Sequence, residues 1–213
     1  MATTFLQLVN QINRRLNEVE LTSTNFASAA GFYAHAKDAV NASIRYINQS
    51  EFEWPFNHTT KTQTLTANTS RYAFPTDCKV INFDTFRIKE DSTLGNSTTR
   101  ILPMAYEEYL DKFVAQEYNS SSFQGVPTRV VHAPSLEFVL TPEPDAAYIL
   151  VYEYFNFTAD LSAHGDAIVI PDRFAHVITD GAMHYAYLFR GNTQDALVMK
   201  EKFDEGIKYM RSM

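Results

Sequence analysis

Apolar positions recur at helical spacing at both ends of the chain and alternate in the middle. Phe5, Leu8, Val9, Ile12, Leu16 and Val19 fall on one helical face, with Thr3 or Thr4 placed to cap and Asn10, Asn13, Arg14 and Asn17 opposite. A polar break from Leu21 to Asn25 offers Ser23 or Thr24 as the next cap. The second helix then runs to about Gln49 with Phe32, Ala36, Ala39, Val40, Ile44 and Ile47 inward, and Ala27, Ala29, Ala30 and Gly31 allow close helix approach. Trp54-Pro55-Phe56-Asn57 ends it, because proline restricts its predecessor and lacks a donor.

Thr60 to Thr66 then alternates as a strand, followed by Arg71 to Pro75 and by Val80 to Lys89, with Gly95-Asn96 as a hairpin turn. Pro103 opens a short helix whose Tyr106, Tyr109, Leu110 and Phe113 share a face. Strands follow at Arg129 to His132, Ser135 to Thr141 and Ala147 to Phe157, with prolines where strands end. Pro171 starts a helix striped by Phe174, Val177, Ile178, Ala182, Tyr185 and Leu188. Gly191 stops it, Asn192 or Thr193 caps the next, and the last helix frays near Gly206. Runs of helices separate from runs of strands, so the class is α+β: a four-helix bundle from residues 1–57 and 166–213, with a β-rich sandwich or barrel of residues 58–165 inserted.

Composition narrows the function. Sixteen Phe and twelve Tyr against one Trp fit a folded chain with sheet or interface surface. The single cysteine, Cys78, rules out an intrachain disulfide and fits a reducing cytoplasm. No secretory leader and no apolar run of membrane-spanning length is visible. The seven Asn-x-Ser/Thr sites, at Asn41, Asn48, Asn57, Asn68, Asn96, Asn119 and Asn156, read as compositional. Of the net charge of −7, the segment from Thr60 to Gly165 carries five negative units, and no segment is basic enough for tight phosphate binding.

Catalytic motifs are weak. His176, Asp180 and His184 stand at i, i+4 and i+8, but the outer two lie about 12 Å apart along a helix, too far to share one ion, and the Glu of a His-Glu-x-x-His site is missing. Cys78 has no nearby histidine, Ser120-Ser121-Ser122 lacks the glycines of a nucleophile elbow, and no phosphate-binding glycine loop occurs. Glu107-Glu108 reads as a solvated pair. Tyr152, Tyr154, Phe155 and Phe157 read as core or interface, ahead of a sugar- or base-stacking platform.

Three ordered stretches carry a resemblance: Glu53-Trp54-Pro55-Phe56-Asn57 leaving the second helix; Gly125-Val126-Pro127-Thr128-Arg129-Val130, running on through Leu136 to Pro144 and Tyr152-Glu153-Tyr154; and Ile170-Pro171-Asp172-Arg173-Phe174. In this order the chain resembles the head-to-tail adaptor family of tailed bacteriophages, which includes tail tubular protein A. The resemblance implies a non-enzymatic virion neck protein without cofactor or metal, made in the host cytoplasm. It implies a homo-oligomeric ring of twelve subunits, the helical side docked on the portal protein and the β side on the tail nozzle or tail tube, with tail fibres a further partner. DNA passes through the lumen without sequence-specific binding, and no membrane is involved. Trp54 and Phe56 are then candidate subunit or portal contacts, and Tyr152 and Tyr154 a candidate tail-side surface. The C-terminal arm of such adaptors is short here, with Tyr209, Met210, Arg211 and Met213 as its candidate grip. The alternatives are another neck, tail-completion or baseplate-attachment protein, a metal-dependent enzyme, and a carbohydrate-binding module.

Overall fold

The computed structural model describes residues 2–89, 98–118 and 124–212. The class is α+β, with five α-helices and two four-stranded sheets among the described residues. The chain divides into two compact units, residues 1–57 with 157–213, and residues 58–156. The helical unit thus reaches back to Phe157, not to Asp166. Asn41 on a helix binds both the N–H and the C=O of Leu161 at 3.0 Å and so holds this connecting segment.

In the helical unit, α1 (Phe5–Arg15) opens on a complete capping box between Thr4 and Gln7. It ends earlier than its apolar spacing predicts: Asn17 takes a left-handed φ of 55° and Val19 is exposed. Asn10 and Asn13, read as polar-face residues, are buried; Asn10 accepts from Leu21 N and donates to Leu21 O, both at 2.8 Å. α2 (Phe32–Ser50) starts well after Ser23 and Thr24. Phe26 is buried edge-on against Phe5, and Gly31 at φ 60° sets the chain into the helix, so the alanine-rich stretch is a turn.

α4 (Ala175–Phe189) and α5 (Thr193–Met210) complete the unit, joined at Gly191 with φ 74° and by an Asn192 cap. Pro171 precedes a 3-10 turn, Asp172–Phe174, that leads into α4. α4 packs against α1, α2 and α5. A Cβ on Gly181 would lie 2.3 Å from Ser43 Oγ and 2.7 Å from the Phe203 ring, so only glycine fits. A Cβ on Gly206 would lie 2.9 Å from Val177, and α5 continues past it to Met210, because this close packing offsets the weak helix propensity that suggested fraying.

In the other unit, β1 (His58–Thr64), β3 (Cys78–Lys89), β4 (Thr98–Arg100) and β8 (Ile149–Asn156) form a sheet in the order β1-β8-β3-β4. β2 (Arg71–Ala73), β5 (Leu102–Met104), β6 (Arg129–Ala133) and β7 (Glu137–Thr141) form another in the order β2-β7-β6-β5. Phe86 and Tyr152 of the first sheet meet Phe138 of the second at 5.2 and 5.6 Å. Pro103 lies in β5, paired in parallel with β6; the short helix α3 (Tyr106–Lys112) starts three residues later. The expected Gly95-Asn96 turn lies outside the described residues.

Candidate docking surfaces

Most residues singled out in the sequence are structural. Trp54 is buried, donates from Nε1 to Ile47 O at 2.7 Å and stacks on Phe56 at 5.3 Å. Asn57 donates to Asn48 Oδ1 at 2.6 Å, and Asn48 donates to Ile44 O and to Thr158 Oγ1. The Trp-Pro-Phe-Asn turn is therefore a clasp over the end of α2. Trp54 is not available as a contact surface, because a fully desolvated indole with its donor satisfied gains nothing by emerging; Phe56 stays half-buried beside it. Asn41, Asn48 and Asn57, read as compositional sequons, are core hydrogen-bonding residues.

Tyr152 and Tyr154 likewise point inward, which corrects their reading as a tail-side surface. On β8 the even-numbered Leu150, Tyr152 and Tyr154 are buried. Tyr152 stacks on Phe86 at 4.6 Å, and the Tyr154 hydroxyl reaches the Asp77 carboxylate at 3.1 Å. The other face presents Glu153, paired with His58 at 2.9 Å, and Phe155, stacked on the same imidazole.

At the C-terminal end, Met210 is fully buried. Arg211 donates to Ser50 O at 2.8 Å and pairs with Glu51 at 3.3 Å, tying the chain end to α2. Tyr209 alone of the described grip candidates has a largely exposed ring, at 65 %; Met213 lies outside the described residues. The apolar side chains that do face solvent here were not singled out by the sequence. Leu188 and Phe189 end α4, and Leu197 and Val198 lie early in α5, so all four sit near the turn at Gly191. Phe189 also stacks on His35 at 4.2 Å. Leu188, which the helical spacing places in the buried stripe of α4, is exposed instead.

The chemistry is sparse. Asp180 pairs with Arg15 at 2.7 Å, His184 Nδ1 lies 2.8 Å from Ala196 O, and His176 is exposed. No group of three or more His, Cys, Asp or Glu is placed to hold a metal ion among the described residues. Burial, and then Asp77, push the Cys78 thiol up to about 11, leaving it protonated and weakly nucleophilic near neutral pH. Among the described residues no helix is long and apolar enough to cross a membrane.

Residues 3–213 match the model of the SU10 adaptor protein family. The chain belongs to the SU10 adaptor protein family. No curated protein matches it. The adaptor match spans both units and all three stretches that resemble tailed-phage head-to-tail adaptors. In this adaptor those stretches act mainly from within: the first is the Trp54 clasp, the second forms β6, β7 and β8, and the third is the turn into α4.

Proposed function

We propose that the chain is a head-to-tail adaptor subunit of a tailed phage, twelve copies forming a ring in the virion neck between the portal and the tail nozzle or tube. α1, α2, α4 and α5 act as a four-helix bundle on the portal side, with the β unit on the tail side and DNA passing through the lumen. Synthesis in the host cytoplasm and a non-catalytic role belong to this reading.

The family match over nearly the whole chain carries it. The exposed Leu188, Phe189, Leu197 and Val198 support the helical unit as a docking element, since apolar side chains left in solvent on two neighbouring helices suit an interaction surface. The two units differ little in charge. With the boundary at residue 157 the helical unit has ten basic and thirteen acidic residues, the β unit eight and twelve, so both are mildly acidic. Neither would hold DNA tightly, which suits a passage through which DNA slides.

Native mass spectrometry of the chain mixed with its portal tests the proposal. A ring-sized complex on the portal is expected, and Leu197→Ser weakens it without shifting the chain's own melting. Absence of any ring and any portal complex sinks it, leaving a tail-completion role to be tested in the same way.

A further inference from the structure

The four sheet edges of the β unit are not alike. β2 and β5 are three residues each, and β5 contains Pro103; short strands and proline blunt an edge against further pairing, while β4 is described over Thr98–Arg100. β1 is seven residues, free of proline and in unbroken register with β8. The direction of its backbone groups follows from two hydrogen bonds. Leu65 N donates across to Tyr148 O at 2.7 Å, so odd-numbered residues of β1 face β8. Glu153 N, opposite Thr60, instead turns toward Thr85 on the β3 side at 2.9 Å. The N–H and C=O groups of His58, Thr60, Thr62 and Thr64 therefore point away from the sheet. All four residues are exposed, and no backbone partner from the described residues reaches them.

Beside this edge runs a groove of about 470 Å³, lined by Lys61 and Gln63 on one side, Phe74 and Pro75 on the other, and Tyr152. Lys61 and Tyr152 are cross-strand partners. Lys61 is exposed, has no ion partner among the described residues, and is the charged residue in the groove's lining.

We propose that β1 takes up an extended segment of a different polypeptide as an added strand, with a carboxylate side chain set against Lys61. Main-chain pairing supplies the binding and the carboxylate the selectivity. A second copy of this chain fits less well. A head-to-tail ring contact would have to match β1 to a different edge, and β2 and β5 are too short for seven-residue pairing, while β1 against β1 closes a dimer. In the adaptor reading the added strand comes from a neighbouring virion protein; the edge itself does not depend on that reading.

The full chain, isotopically labelled, is titrated with two synthetic eight-residue peptides rich in Thr and Val, one with a central Asp and one with Lys there, following amide exchange by NMR. The Asp peptide is expected to protect the amides of Thr60, Thr62 and Thr64. Lys61→Met weakens it about tenfold, the worth of one charge-assisted hydrogen bond. Thr62→Pro abolishes it while leaving the β1·β8 ladder and the melting temperature in place, because proline there removes only an outward donor. No protection, equal binding of the Lys peptide, or amides already protected by dimers of the free chain would each overturn the inference. A ring on the portal with an indifferent β1 refutes this strand and spares the adaptor role; peptide binding without a ring does the reverse.

Discussion

The two units solve opposite problems with their polar groups. In the helical unit, loops that would leave peptide groups stranded are met by buried amides: Asn10 on Leu21, Asn41 on Leu161, Asn48 and Trp54 on the end of α2. Among the apolar side chains this unit leaves outside are those near the α4–α5 turn. The β unit buries a stack of aromatic rings and a network in which Glu117 accepts from Arg71 and Tyr109. It also leaves main chain outside, along β1. Contact through side chains depends on the partner's surface shape, whereas contact through a strand edge tolerates many partner sequences.

The largest test of that division is to empty each core in turn. Trp54→Ala is expected to cost about 3–5 kcal/mol, and Phe86→Ala a similar amount, since each deletes a fully buried ring. Hydrogen exchange should show Trp54→Ala loosening the amides of α1, α2, α4 and α5 while those of β3, β7 and β8 stay protected, and Phe86→Ala the reverse. Simultaneous loss of protection in both units would break the comparison.

A mid-sized effect isolates the amide clamps. Asn41→Ala leaves the Leu161 N–H and C=O without their partner and should cost about 1–3 kcal/mol in urea denaturation. Asn68→Ala, in a β-unit turn, removes one exposed hydrogen bond from Gln124 and should cost less than Asn41→Ala. Equal losses would mean that buried clamping does not distinguish the helical unit.

This split explains what could be read from the chain. Periodicity located α1, α4, α5 and most strands because each buries one face, and Thr4 and Asn192 cap as their residue types suggest. It failed where a distant contact decides. Residues 23–31 look helical, yet Phe26 is drawn onto Phe5. Pro103 looks like a helix opener, yet pairs beside Val130. The buried asparagines looked like surface residues because their partners lie up to 120 positions away. Tyr152 and Tyr154 alternate correctly, but alternation does not say which face is the core. The exposed edge of β1 depends on its pairing with β8, which no local pattern encodes.

The smallest effect, absent near neutrality, is a split in pH response. In the helical unit Asp166 is held below its usual 3.8 by the backbone N–H groups of Ser162 and then Ala163, and Asp172 is lowered by the N–H of Thr3. A depressed carboxylate lends stability that is present above the unfolded value and lost as pH falls through the folded one. In the β unit the phenols of Tyr152 and Tyr154 are raised from 10.0, burial being the first cause for both. A raised phenol stabilises the fold below the unfolded value, and that contribution is lost as pH climbs through the folded one. Acid should therefore free the amides of Ser162 and Ala163 before those of β8, and alkali above pH 10 should loosen β8 first. Exchange rates along a pH series from 2 to 11 check this. Asp166→Asn should remove the acid limb at Ser162 and leave the alkaline limb at Tyr152 untouched. Movement of both limbs in that variant would mean that the two units titrate as one.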